Sequence, residues 1–340
     1  MALIAFDARD AFGAMPHGSG IYVRRLLEAL TRRPPAGHEL WPLERGGRGP
    51  ELWWEQITLP RLLRARRAGL VHSPDSFLPL RRDCPGVVTV HDLGFEEIPD
   101  EMPRLTGWKY RVFVSRAVRS ADRVICPSQF TADDVTRRYG VSPDRLRVIP
   151  EAPALADSDV APAAGDPYLL AVGDLRPKKN LARLIEAYRR LRRAGLPHRL
   201  LLAGADDAGA GATLRRLAGS DPVELLGFVP DARLDALLRD AEALVVPSLY
   251  EGFGLVVLDA MRRGCPVVLA RAGALPETGG DAAAYFDPLD PADMAGAIRQ
   301  VVEDRSWRDR LCEAGRARAA QFSWERTAAE TIRVYEELLG

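Results

Sequence analysis

Residues 245–259 read VVPSLYEGFGLVVLD, and their reading decides the fold. Val245 and Val246 finish an apolar run that Pro247 and Ser248 break. Glu251-Gly252-Phe253-Gly254 then leads into a helical pattern carried by Leu255, Leu258 and Met261. A buried strand therefore ends at an acidic, glycine-containing turn that opens a helix. The first N–H groups of a helix lack internal partners and sit at the positive end of its dipole, so an anion docks there. Gly252 and Gly254 let a diphosphate approach the backbone with no Cβ in the way. Glu251 in the loop and Asp259 on the helix flank that anion site. A carboxylate accepts hydrogen bonds from adjacent hydroxyls, which suits one acid to a sugar and the other to a ribose.

An ordinary strand-to-helix turn of an α/β protein would explain a lone G-x-G equally well. The longer run 247–290, PSLYEGFGLVVLDAMRRGCPVVLARAGALPETGGDAAAYFDPLD, is more specific. It closely resembles the donor-site signature of the family-4 retaining glycosyltransferases, and the likeness continues more loosely along nearly the whole chain. The resemblance implies the GT-B architecture: two Rossmann-like α/β domains with parallel sheets facing each other across a cleft. It also implies a nucleotide-sugar donor and retention of configuration at the anomeric carbon.

Length and composition agree with a two-domain enzyme. At 340 residues the chain exceeds the usual reach of one hydrophobic core. Lys+Arg and Asp+Glu both number 47, a formal net charge of zero, which disfavours a globally basic nucleic-acid binder. The start, MALIAFDARD, has no basic segment followed by a long apolar run, and no later segment approaches the roughly 20 apolar residues of a membrane span. The expectation is a cytoplasmic protein. Cys84, Cys126, Cys265 and Cys312 are scattered without the close pairs that ligate zinc, so they read as neutral thiols.

Strand and helix patterns alternate throughout, which implies parallel sheets with right-handed crossovers. Short buried strands are expected at 3–6, 70–72, 87–91 and 123–126, then at 168–172, 199–203, 223–226, 243–246 and 266–269. The Pro-, Ala- and Asp-rich segment 153–167 is the linker candidate. The expected organisation is an acceptor-binding domain over 1–155 and a nucleotide-sugar domain over 165–322. The resemblance implies that a last helix, 323–340, crosses back to the first domain.

A second stretch follows the linker: AVGDLRPKKNLARLIEAYRRL, with a strand ending at Gly173 and a helix starting near Asn180. A departing nucleoside diphosphate gathers negative charge, so fixed cations stabilise the transition state more than the ground state. Lys179 matches the lysine of the resembled motif. Asp174 stands where that motif usually carries Arg, which leaves Arg176 or Lys178 to supply a second charge. Residues 17–30, HGSGIYVRRLLEAL, resemble the first strand-to-helix loop of the family, and the likeness assigns Gly18 and Gly20 to the donor phosphate and the acceptor. His91-Asp92 closes the strand VVTV at the end where open α/β sheets bind ligands. The resemblance makes His91 a contact of the transferred sugar, with Asp92 orienting it. His38, His72 and His198 receive no role.

The expected mechanism uses Glu251, Lys179, His91 and Arg176 as catalytic groups. Donor contacts are expected from Gly18, Gly20, Lys178, Phe228, Gly252, Phe253, Gly254, Leu255 and Asp259. No metal and no cofactor are expected, because no Asp-x-Asp stands at a strand end in a suitable loop. Front-face attack with the departing phosphate as base and a covalent intermediate on Glu251 both remain open, the first being preferred. Asp259 departs from the family's usual second glutamate, being shorter by one methylene. The R-x-K-K-N-L form together with FDAR looks most like enzymes of mannose- or rhamnose-containing polysaccharides, so GDP-mannose is the first expectation. UDP- and dTDP-sugars stay open, with base choice near Gly227-Phe228-Val229. The acceptor is expected to be a glycan, glycolipid or small-molecule hydroxyl. Residues 104–120, RLTGWKYRVFVSRAVRS, mix apolar positions with Arg104, Lys109, Arg111, Arg116 and Arg119. They suit either a peripheral membrane contact or a solvated helix face. Competing readings are a sugar-nucleotide epimerase of the same architecture, an NAD-dependent oxidoreductase and a noncatalytic sugar-binding protein. The oxidoreductase would require a G-x-G-x-x-G after the first strand, which is absent.

Overall fold

The computed structural model describes residues 1–12, 18–44, 51–98, 104–161, 166–207 and 209–340, the side chains of Glu51 and Arg104 apart. His17, part of the expected linker (162–165) and Arg104's side chain thus lie outside the described residues. The chain forms two compact units, Met1–Ala154 with Phe322–Gly340, and Leu155–Gln321. No helix among the described residues is long and apolar enough to cross a membrane.

The first unit holds a six-stranded parallel sheet of β1 (Leu3–Asp7), β2 (Glu39–Leu43), β3 (Leu70–Ser73), β4 (Gly86–Thr89), β5 (Arg123–Cys126) and β6 (Leu146–Val148), in the order β2-β1-β3-β4-β5-β6. β1, β3 and β4 are almost fully buried, as parallel sheets covered by helices are, and their few polar side chains (Asp7, His72, Ser73 and Thr89) are buried too. The order reverses between β1 and β3, so the carboxyl ends of those strands form the unit's topological switch point. Neither β2 nor β6 was expected from sequence. β2 contains Pro42 and is only partly buried, and β6 is a three-residue edge strand with no fully buried side chain. Edge strands tolerate proline and polar residues, so the apolar signal fades there.

The helix Trp324–Leu339 packs on this unit. Ser323 caps it, Trp324 Nε1 donates to the Pro153 carbonyl at 2.9 Å, and Thr327 Oγ1 donates to that of Pro150 at 2.8 Å. Tyr335 OH lies 2.7 Å from His72 Nδ1, whose Nε2 lies 2.9 Å from Thr89 Oγ1. Burial, helped by the charge of His91, pushes the His72 imidazole down to about 3, so it is neutral and bridges helix to sheet.

The second unit repeats the design with β7 (Tyr168–Val172), β8 (Arg199–Ala203), β9 (Val223–Gly227), β10 (Ala243–Val246), β11 (Val267–Ala270) and β12 (Ala284–Phe286), all parallel. Their order is β12-β11-β10-β7-β8-β9, which counted within the unit is the Rossmann order 3-2-1-4-5-6. Its switch point lies between β7 and β10. The boundary between the units, Ala154/Leu155, falls inside the expected linker 153–167, and residues 154–158 are hydrogen-bonded on both sides of it. Ala154 accepts from Arg25 in the first unit, whereas Leu155 N donates to Asp259 Oδ1 at 2.9 Å and Ser158 Oγ to Asp235 Oδ2 at 2.8 Å in the second. Each half of the segment finds polar partners in its own unit, which a composition argument does not detect.

Candidate active site

The loops that follow β7 and β10 meet at the switch point of the second unit. After β7 the chain makes a single 3-10 turn, Pro177–Lys179, and Asn180 then takes a left-handed conformation (φ 55°) before the helix Leu181–Arg193. Asparagine tolerates that conformation better than most side chains. Its Nδ2 donates to the carbonyls of Pro247 at 3.0 Å and Pro288 at 2.8 Å, and Leu249 N donates to the Lys178 carbonyl at 2.8 Å. These bonds fix the two loops to each other.

Lys179 is thereby carried to Glu251: Nζ donates to Oε1 at 2.6 Å, and Ser248 Oγ donates to the same oxygen at 2.7 Å. Burial alone would push the Glu251 carboxyl up. The charges of Lys179 and Lys178, with the hydrogen bonds from Lys179 and Ser248, outweigh it and hold the group below the usual range. Glu251 is therefore an ionised carboxylate and an acceptor only.

The rest of the Glu251 loop is held just as closely. Gly273 stands at φ +58°, and a Cβ there would lie 2.5 Å from the Glu251 carbonyl oxygen and 2.6 Å from its nitrogen, so only glycine lets the two segments touch. Ala274 N donates to the Glu251 carbonyl at 2.8 Å, and Thr278 Oγ1 to that of Phe253. Gly254, at φ +98°, turns the chain into the helix Leu255–Arg262, which carries no side-chain cap at its start.

The remaining expected residues are distributed as follows. Arg176 Nε lies 3.9 Å from Asp174 Oδ2, so the acid in the motif's usual arginine position faces the arginine two residues on. Lys178 adds charge to the Glu251 environment. Gly252 and Phe253 are buried in the loop, and Leu255 opens the helix. Asp259 is buried on that helix, accepts from Leu155 N, and has Arg263 Nη1 3.7 Å from Oδ1. Phe228 follows edge strand β9 and is about half exposed (52%).

Gly18, Gly20 and His91 belong to the first unit. Gly18 begins the helix Gly18–Arg32, with Gly20 buried in its first turn. His91 Nδ1 lies 3.0 Å from Glu151 Oε1 and Nε2 lies 2.8 Å from the Pro74 carbonyl. Burial works against a charge on this ring, but the hydrogen bond and charge of Glu151, with Asp75 and the Pro74 carbonyl, raise it to about 9. His91 is thus an imidazolium donating from both nitrogens to its own unit. Asp92 Oδ1 accepts from Gly94 N and so shapes the loop.

Sequence reasoning missed Ser248 and Asn180. Ser248 sits three residues before Glu251, and Asn180 occupies the position before an amphipathic helix, so both were visible as residue types but not as partners.

Each unit is thus built on a parallel sheet, and the second carries a lysine–glutamate pair at its switch point. The chain matches the family model Glycosyl transferases group 1 over residues 156–318 and the model Glycosyltransferase Family 4 over residues 16–152. It is 32% identical over 291 residues to O-antigen chain mannosyltransferase B of Escherichia coli, a match covering 81% of this chain and 76% of that enzyme. Among solved structures it is similar to a sucrose-phosphate synthase from Thermosynechococcus elongatus (TM-score 0.77, 22% identity, 99% of both chains). It is also similar to the Anabaena protein HepE in complex with UDP and glucose (TM-score 0.72, 19% identity, 99% of this chain and 100% of that one). The chain belongs to the group 1, family-4 glycosyltransferases of GT-B fold, and it is a glycosyltransferase.

Proposed function

We propose that the chain moves a hexose, mannose from GDP-mannose, onto a hydroxyl of a glycan, glycolipid or small molecule, with retention at the anomeric carbon and without a metal ion. The observation that carries this reading is the Lys179–Glu251–Ser248 cluster at the switch point. The ionised Glu251 accepts hydrogen bonds from the hydroxyls of the transferred sugar. Lys179, with Arg176 or Lys178, faces the diphosphate, and the amides at Gly252–Leu255 approach its oxygens. The bond between the anomeric carbon and the β-phosphate oxygen breaks while the acceptor oxygen bonds to that carbon from the same face. The acceptor's proton passes to the departing phosphate. Fixed positive charge beside the leaving group then does the work that a divalent ion would otherwise do. Asp259 is assigned the ribose hydroxyls and Phe228 the base. His91 supports the sugar side through the loop it ties down.

Mannose as the sugar is supported by the named activity of the Escherichia coli relative, and the UDP complex of HepE makes uridine the competing base. A peripheral membrane contact is supported by the helix Arg104–Ser120, where Leu105 (79%) and Trp108 (57%) are exposed beside basic residues. Flotation with anionic vesicles tests that contact.

GDP-mannose incubated with excess EDTA and a mannoside acceptor, with the product's anomeric configuration read by NMR, tests the function. An α-linked product formed undiminished in EDTA is expected. A β-linked product, or transfer that requires added Mg²⁺ or Mn²⁺, would contradict it.

A further inference from the structure

The helix Leu255–Arg262 ends on a buried arginine. Arg263 N donates to the Ala260 carbonyl at 3.0 Å, which tightens the last turn, and the side chain folds back so that Nη1 donates to the Asp259 carbonyl at 2.9 Å. That side chain is 3% exposed, and its Nε donates to Asp235 Oδ1 at 2.5 Å on the helix Asp231–Asp240. Nη2 donates to the carbonyls of Leu155 at 3.3 Å and Ala156 at 3.2 Å. A planar guanidinium spans partners in these three directions at once, whereas a lysine ammonium is a single point charge and does not.

The short segment 155–158 answers these bonds with its own donors. Leu155 N donates to Asp259 Oδ1 at 2.9 Å, and Ser158 donates to Asp235 Oδ2 from N at 3.2 Å and from Oγ at 2.8 Å. Helix, arginine and segment thus close a ring of hydrogen bonds inside the second unit, and both acids in it are buried. Asp235 is the hydrogen-bonded partner of the buried cation. Asp259 Oδ1 stands 3.7 Å from Nη1, near enough for charge attraction but past hydrogen-bond range, so Arg263 orients this carboxylate without taking an acceptor site from it. A carboxylate accepts up to about four hydrogen bonds, so ribose hydroxyls and the Leu155 amide are compatible partners.

We infer that Arg263 is a positioning residue for the donor: with Asp235 and segment 155–158 it holds Asp259 at the ribose, and selection of a ribonucleotide over its dideoxy form depends on it. The inference rests on the assignment of Asp259 to the ribose hydroxyls. Asp259 is one methylene shorter than a glutamate, so its reach is set by where its helical turn stands, and Arg263 holds that turn by its carbonyl. Opening the ring lets the carboxylate drift from the ribose. The diphosphate site is at the other end of the same helix, two turns away, and keeps its own contacts.

GDP and 2′,3′-dideoxy-GDP are titrated into the full chain, as wild type and as Arg263→Lys, each well below its unfolding midpoint. The wild type binds GDP at least about tenfold more tightly than the dideoxy form, as hydrogen bonds to a charged acceptor provide. In Arg263→Lys that ratio falls below about threefold while affinity for the dideoxy form stays within about twofold of wild type, because only the ribose contact is lost. A purely structural arginine would weaken both nucleotides alike, and an unchanged ratio would overturn the inference. Should the variant fail to fold, amide exchange in the wild type decides. Saturating GDP slows exchange over residues 154–158 more than saturating dideoxy-GDP does, since whatever steadies Asp259 steadies the segment bonded to it; equal protection by the two would overturn the inference. A wild type that binds neither nucleotide, or both equally, overturns the ribose assignment and the inference with it, a result distinguishable from an unchanged ratio in the variant.

Discussion

Lys179 and Ser248 donate to the same oxygen of Glu251, at 2.6 and 2.7 Å, so the site's principal cation is held by its principal acid. An ammonium has three donors, and using one on Glu251 leaves the group oriented rather than mobile. A diphosphate arriving beside it meets a charge already fixed in direction, and reorganisation during the reaction is small.

Lys179→Met removes that charge while keeping an unbranched side chain. kcat falls by about 10²- to 10³-fold, the cost typical of losing one preorganised electrostatic contact to a leaving group. Steady-state rates at saturating donor check this, and a fall of less than about fivefold would assign the leaving-group charge to Arg176 or Lys178 instead.

Asn180→Ala leaves the Pro247 and Pro288 carbonyls without their side-chain donor. Stability drops by about 1–3 kcal/mol, and the lysine loop loosens from the glutamate loop. Denaturant unfolding gives the first effect. The second appears as a rise in donor KM larger than that of Arg183→Ala, a neighbour whose side chain donates to Asn180 Oδ1 at 3.0 Å.

His91 couples stability to pH. Its folded pKa of about 9 exceeds the ordinary value of 6.5, so the stabilisation from the Glu151 pair is fully present below pH 6.5 and is lost as pH rises through 9. Unfolding midpoints at pH 6 and 9.5 report the loss. Glu151→Gln flattens this dependence, and an unchanged slope in that variant would disprove the pairing.

Tyr335→Phe leaves His72 Nδ1 buried without a partner and destabilises the first unit by about 1–3 kcal/mol. Limited proteolysis detects earlier release of the helix Trp324–Leu339. Asp259→Ala removes the acceptor of Leu155 N and a neighbour of Arg263. It lowers the unfolding midpoint, and a raised donor KM well below that midpoint is the additional result its ribose role predicts.

The central strands and the turn at 245–259 were legible because buried parallel strands are uniformly apolar and because glycine, acid and helix start lie within a few residues. Edge strands β2 and β6 and the short strand β12 were not, since half-exposed or very short segments lack that signal. His72 received no role from sequence for a similar reason. Its partners Tyr335 and Thr89 are 263 and 17 positions away, and only folding brings them within hydrogen-bond distance. Lys179 and Glu251 were each identified from local context. Their contact depends on Asn180, whose side chain bonds Pro247, Pro288 and Arg183 in three different segments.

Calorimetric titration of GDP into the wild type and into Lys179→Met, each in excess EDTA, tests the central claim most directly. The account predicts GDP binding unaffected by EDTA and weakened at least about tenfold by the substitution, as expected for loss of a partly desolvated charge contact to phosphate. GDP binding that vanishes in EDTA, or that is as tight in Lys179→Met as in the wild type, would contradict it.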